Sequence, residues 1–251
     1  MDPRHTSPRR LTLSITLLLA VSLAPATAAH WASWRGPASD GVSLETGLPS
    51  SWSPEGENLL WKAPIGGRST PIVLDGRVCI LTLADPATPQ KWQEQIACLD
   101  ADTGELVWEY RYNVFQTDIP HHRIGWANLV GDAETGYVYS HGVEGMVHCF
   151  DRDGQIVWSR PFTEEVGRIS GFGGRTVNPI LDGNLVIVSF LSVPWWSTPG
   201  PKHRFYALDK KTGDTVWVSE PGGRPLDTTY SAPVVKVING ERLLVAGNGD
   251  G

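Results

Sequence analysis

The run Ala207-Leu208-Asp209-Lys210-Lys211-Thr212-Gly213-Asp214-Thr215-Val216-Trp217 decides how the rest of this sequence is read. Its Asp-x-x-Thr-Gly centre is a tight turn, in which Gly213 takes the positive φ that other residues avoid. A short β-forming stretch follows and ends on a tryptophan. The same plan occurs twice upstream. Cys98-Leu99-Asp100-Ala101-Asp102-Thr103-Gly104-Glu105-Leu106-Val107-Trp108 differs at the first position, where Cys98 stands for Ala207. Cys149-Phe150-Asp151-Arg152-Asp153-Gly154-Gln155-Ile156-Val157-Trp158 keeps the order, with a turn one residue shorter.

Working outward, each run has a similar preface. Ser69-Thr70-Pro71-Ile72-Val73 is followed by Asp75-Gly76 and an apolar run to Leu81, and Thr176-Val177-Asn178-Pro179-Ile180 by Asp182-Gly183 and a run to Val188. The second repeat is more degenerate and opens at Gly136-Tyr137-Val138-Tyr139. A fourth copy begins at Ser231-Ala232-Pro233-Val234-Val235 and continues through Arg242–Ala246. Every full repeat therefore reads as four short β runs separated by Gly, Asp, Asn or Pro. Trp108, Trp158 and Trp217 lie 50 and 59 residues apart, the length of one propeller blade.

These signals predict an all-β fold, a β-propeller of four-stranded blades whose tryptophans fill the wedge between neighbouring sheets while each indole N–H seeks a backbone partner. Asn58-Leu59-Leu60-Trp61 reads as an outer strand without three strands of its own, as expected where the first strand completes the last blade. The expected organisation is a signal peptide over 1–29, an extended lead-in over 30–57, and a partial propeller over 58–251 that stops within a blade. That is about three and a half blades of a ring of seven or eight.

Composition agrees. The 251 residues include 27 Gly, 19 Pro and 11 Trp, which favours turns and short strands over long helices. Net charge is −6, and beyond the extreme N-terminus no Lys/Arg cluster offers the basic footprint that a nucleic-acid partner needs. Arg4, Arg9 and Arg10 precede an apolar run from Leu11 to Leu23, too short to span a bilayer, and Ala26-Thr27-Ala28 supplies small residues for cleavage. The sequence thus predicts export through general secretion to the periplasm or beyond, with no membrane span after cleavage.

The Ala-x-Asp-x-x-Thr-Gly-x-x-x-Trp run at Ala207–Trp217 resembles the docking motif of the pyrroloquinoline quinone (PQQ) repeat family. Trp34-Arg35-Gly36-Pro37 with Asp40-Gly41, and later Trp52, resembles secreted bacterial members of that family. The family includes quinoprotein alcohol dehydrogenases and the propeller lipoprotein of the outer-membrane barrel-assembly machinery. The resemblance implies the fold and the structural role of Trp61, Asp100, Gly104, Trp108, Asp151, Gly154, Trp158, Ala207, Asp209, Gly213 and Trp217. One fold hosts enzymes and scaffolds alike, so function has to be read from the site. In the resembling dehydrogenases PQQ lies on the propeller axis beside two adjacent, disulfide-linked cysteines, with calcium held by carboxylate and amide oxygens and an Asp as base. Here Cys79, Cys98 and Cys149 are never adjacent.

The expectation is therefore a non-catalytic scaffold or binding module, with a protein partner or small ligand on a propeller face and no cofactor. The alternative is a PQQ- and calcium-dependent alcohol dehydrogenase with part of its site beyond residue 251. No residue is assigned a catalytic or metal-binding role, and no Ser-His-Asp or paired-carboxylate arrangement stands out. Several residues remain as candidates. Cys79 and Cys98 face one another if strands 77–83 and 95–100 pair; they are then a disulfide in an oxidising compartment or two small buried residues. His121-His122-Arg123 is a candidate anion or metal contact, or a solvated loop. Arg175 ends a Gly-rich connection that either contacts an anion or simply turns the chain. Trp195-Trp196, in a Pro-rich connection, is a recognition patch or packs onto the propeller face.

Overall fold

The computed structural model describes residues 30–88, 91–115, 119–170, 176–193, 200–223, 225 and 231–248. The chain builds consecutive antiparallel sheets. The first blade comprises β1 (Ile72–Leu74), β2 (Arg77–Leu83), β3 (Gln93–Asp100) and β4 (Leu106–Asn113), paired in that order. The second comprises β5 (Val130–Gly131), β6 (Val138–His141), β7 (Met146–Phe150) and β8 (Ile156–Pro161). A short helix, α1 (Phe162–Val166), and β9 (Arg168–Ser170) lead to the third, made of β10 (Ile180–Asp182), β11 (Leu185–Val193), β12 (Lys202–Asp209) and β13 (Thr215–Ser219). A fourth unit is the hairpin of β14 (Val234–Ile238) and β15 (Glu241–Val245). This is the β-propeller arrangement, and the sequence reading of the fold class holds. β9 is an addition: it pairs with Leu191–Val193 of β11, beyond the stretch that β10 covers.

Burial explains the strand order. The third strands, β3 and β12, are buried along almost their whole length, as expected for strands with neighbours on both edges and sheets on both faces. The fourth strands alternate, and β4 turns Trp108, Tyr110 and Tyr112 toward the second blade. There Trp108 and Tyr110 meet Phe150 at ring distances of 5.5 and 5.2 Å. The apolar core accordingly lies between blades. One cluster joins the first and second sheets, and another joins Tyr139 and Trp158 of the second to Val188, Phe190 and Leu208 of the third.

The recurring turn does what its residue types dictate. Asp100 Oδ1 accepts the backbone N–H groups of Asp102 and Thr103 at 3.0 and 2.9 Å, and Asp209 Oδ1 those of Lys211 and Thr212 at 2.8 and 3.0 Å. Asp151 accepts from Asp153 and Gln155, which closes the turn that is one residue shorter. Each turn's glycine has positive φ, 73°, 80° and 77° for Gly104, Gly154 and Gly213. Each blade's turn is then capped by the previous tryptophan. Trp61 donates its indole N–H to Ala101 O at 2.8 Å, Trp108 to Arg152 O at 3.1 Å, and Trp158 to Lys210 O at 3.1 Å. Within each sheet the tryptophan stands opposite a small residue, in the pairs Cys98–Trp108, Cys149–Trp158 and Ala207–Trp217. A bulge follows that small residue in all three.

Trp61 caps its turn as an outer-strand tryptophan does, and residues 58–61 pair with no described strand. One expectation is corrected. The second blade opens at Val130–Gly131, before the stretch from Gly136 read from sequence, because a two-residue strand is too short to show alternation.

The lead-in has an unexpected course. Trp31 and Val73 exchange N–H···O bonds of 2.9 and 3.0 Å, and Gly131 donates to Ala32 O at 2.7 Å. Trp31 and Ala32 therefore sit against the inner strands of the first two blades and satisfy backbone groups of Val73 and Gly131.

Candidate functional site

Strand directions place the β2–β3, β6–β7 and β11–β12 connections, and those entering β1, β5, β10 and β14, on one face. The Asp-Gly turns lie on the other. On the loop-bearing face the residues just before the inner strands converge. Thr70, Asn128, Asn178 and Ala232 line a cavity of about 240 Å³ together with Trp34 and Trp126. The first three are joined blade to blade: Thr70 N–H donates to Asn128 Oδ1 at 2.5 Å, and Asn128 N–H to Asn178 Oδ1 at 2.7 Å. At the corresponding position of the fourth unit, Ala232 has no side-chain acceptor to continue the series.

A second cavity of about 320 Å³ opens on the same face beside the first blade, lined by Arg68, Leu83, Pro86, His121, His122 and Ile124. Arg68 lines both cavities. One of its guanidinium nitrogens donates to the His122 carbonyl. His121 and His122 lie on a single 3-10 turn, His121–Arg123.

Beneath that turn sits the buried carboxylate of Glu94. It accepts from Gly125 N–H at 2.8 Å, from Val143 N–H at 3.3 Å and from the Tyr112 hydroxyl. It thus ties to the first blade both the connection that enters the second blade, at Gly125, and the β6–β7 connection within it, at Val143. Burial pushes its carboxyl up to about 7, against those hydrogen bonds, which pull the other way. Two imidazoles in the second sheet are held neutral: burial pushes His141 and His148 down to about 4. His141 Nδ1 lies 2.9 Å from Val177 O, while His148 packs against Tyr110, Tyr112 and Phe150.

The structure separates the residues singled out from sequence. His121 and His122 line a cavity, but Arg123 is buried and does not line it; the guanidinium there is that of Arg68. Cys79 and Cys98, directly paired in the β2–β3 register, form a disulfide with Cα atoms 4.0 Å apart. Cys149 is a buried thiol. Arg175, Trp195 and Trp196 lie outside the described residues. Sequence reasoning missed Arg68, Glu94, Asn128 and Asn178. The Pro that follows Thr70, Asn178 and Ala232 was the available signal for the convergent position.

The donor set of the axial cavity does not suit calcium or a calcium-bound quinone. Calcium takes six to eight oxygen ligands, carboxylates prominent among them. No described residue lining this cavity is acidic, and the amide oxygens of Asn128 and Asn178 already accept backbone N–H groups. Among the described residues no group of three or more His, Cys, Asp or Glu side chains is placed to hold a metal ion. None of their helices is long and apolar enough to cross a membrane.

Residues 93–251 match the family model described as outer membrane protein assembly factor BamB. A search of the curated proteins finds no match. Among solved structures, a europium-containing methanol dehydrogenase is similar at 18% identity and TM-score 0.43, covering 64% of this chain and 25% of that one. The quinohemoprotein alcohol dehydrogenase from Comamonas testosteroni is similar at 20% identity and TM-score 0.42, covering 62% and 21%. BamB from Moraxella catarrhalis is similar at 16% identity and TM-score 0.34, covering 76% and 70%. The chain thus spans about a quarter and about a fifth of the two dehydrogenases' lengths.

Proposed function

This chain belongs to the family described as outer membrane protein assembly factor BamB, and from that premise we propose that it is an exported, non-catalytic scaffold or binding module. It holds a protein partner or a small ligand on the loop-bearing face. The observation that carries this reading is the use made of the axial oxygens. Asn128 and Asn178 spend their carbonyls on the neighbouring blade, so the axis is organised to hold the ring together. Trp34 and Trp126 stand half-exposed around the axial cavity. Tryptophans in such positions supply large contact area to a partner. The Cys79–Cys98 disulfide supports export, since such bonds persist in oxidising compartments. Residues 1–29 carry the signal for it.

The test is a titration of the purified protein with PQQ and calcium, followed by tryptophan fluorescence, with dye reduction by an alcohol as the second readout. The expected result is no saturable quenching and no turnover. Calcium-dependent, one-to-one quenching with turnover would overturn the scaffold reading in favour of a quinoprotein dehydrogenase. A photocrosslinking residue at position 34 or 126 is expected to yield a discrete protein adduct that the same residue at Val216, exposed on an outer strand, does not.

A further inference from the structure

The cavity beside the first blade has the composition of an anion site. Arg68 has five N–H donors, of which one nitrogen serves the His122 carbonyl, and among the described residues it forms no ion pair. His122 makes no side-chain hydrogen bond among them. His121 Nε2 is buried and likewise without a hydrogen-bond partner among the described residues. No described lining residue is acidic, in a chain whose net charge is −6. The lining also includes apolar side chains, those of Leu83, Pro86 and Ile124. The Thr82 hydroxyl, also at the wall, is already engaged with Gly66 O.

We propose that this cavity binds a small organic monocarboxylate, its carboxylate on Arg68, His121 and His122 and its apolar body against Leu83, Pro86 and Ile124. A guanidinium offers parallel N–H groups matched to the two carboxylate oxygens. The imidazole N–H groups complete the oxygens' remaining acceptor sites, which satisfies the buried His121 nitrogen. A volume of about 320 Å³ admits a body of one ring or a short chain. The two apolar side chains and the proline favour such a body over a bare inorganic anion, whose whole surface needs donors. The site goes beyond the scaffold reading and does not depend on it: Arg68 lines both cavities, but His121, His122, Leu83, Pro86 and Ile124 line only this one.

The experiment is calorimetric titration of the protein with benzoate, with the His121 and His122 imidazole resonances followed in parallel. Benzoate is expected to saturate with a Kd on the order of 1 mM, shifting both resonances. Benzamide, which keeps the ring and lacks the charge, is expected to bind at least about tenfold more weakly. Arg68→Gln is expected to weaken benzoate by about tenfold and Arg68→Lys to restore only part of the loss. Arg68 is exposed, so these variants fold; His122→Gln provides an independent check with a smaller loss. Equal binding of benzoate and benzamide, an Arg68→Gln variant that binds as well as the parent, or inorganic phosphate shifting the two imidazoles when benzoate does not would each overturn the proposal. Quenching by PQQ read at tryptophan would leave it intact, so its failure and that of the scaffold reading are distinguishable.

Discussion

Tyr139 and Trp158, on different strands of the second blade, donate to one acceptor: the carbonyl oxygen of Lys210 in the turn of the third, at 3.0 and 3.1 Å. The ammonium of that same lysine is buried between Asp132 and Glu134, at 2.9 and 2.7 Å. Residue 210 is therefore bonded to the second blade through both its backbone and its side chain. The docking motif is a joint between sheets, and its strength can be measured one component at a time.

Replacing the indole while keeping an aromatic ring separates hydrogen bond from packing. Trp158→Phe is expected to cost about 1–2 kcal/mol, for the lost N–H donor and part of the ring. Trp158→Ala is expected to cost about 3–5 kcal/mol, because the ring fills the gap between two sheets. Chemical denaturation with both variants checks this, and equal losses would mean that the hydrogen bond carries the joint.

Two glycines with positive φ make a matched pair for the role of close approach. A Cβ on Gly213 would lie 2.7 Å from the Trp158 ring, whereas one on Gly183 meets nothing within 4 Å. Gly183→Ala is expected to lose only the backbone strain, about 1 kcal/mol. Gly213→Ala is expected to lose that and the indole contact as well, about 3 kcal/mol in all. Comparable midpoints for the two variants would refute the steric account.

Stability is expected to depend on pH through Glu94 with an unusual sign. Its folded value, about 7, lies above its ordinary 4.5, so the folded state binds the extra proton between those values. This contribution is complete below pH 4.5 and is lost as pH rises through 7, amounting to roughly 3 kcal/mol over the window. His141 and His148 act in the opposite direction: their folded values, about 4, lie below 6.5, so stability is lost as pH falls from 6.5 toward 4. Glu94→Gln keeps an acceptor for Gly125 and Val143 and is expected to steepen the acid-side loss by removing the opposing term. A pH–stability profile unchanged by that substitution would show that Glu94 is ionised throughout.

The disulfide closes a loop of 19 residues between β2 and β3. Reduction, or the double replacement of Cys79 and Cys98 by Ala, is expected to lower stability by about 3 kcal/mol, chiefly by releasing the unfolded chain. Thermal unfolding with and without reductant tests this, with Cys149 alkylation under denaturing conditions as the control for its buried thiol.

How much of this was legible in the sequence follows from the range of each interaction. The turn is local: Asp209 and Gly213 act within five residues, and Trp217 stands opposite Ala207 in the adjoining strand of the same hairpin. Such units repeat along the chain with recognisable spacing, so the four-stranded blades and their tryptophan caps were readable from Ala207–Trp217 outward. The order of Cys79 and Cys98 in their hairpin was readable for the same reason, although their bonding was one of two readings until the register paired them.

What only the tertiary structure decided lies between repeats. Asn128 reaches Asn178 across 50 residues and Arg68 reaches His122 across 54, pairs that no spacing rule connects. The path of Trp31 along the inner strands and the burial of Glu94 beneath Gly125 depend on where whole sheets come to rest. Repetition along a chain encodes the blade, because each blade's hydrogen bonds close within itself. The site is made where blades meet, and there the partners are chosen by the packing of sheets, which a single sequence does not spell out.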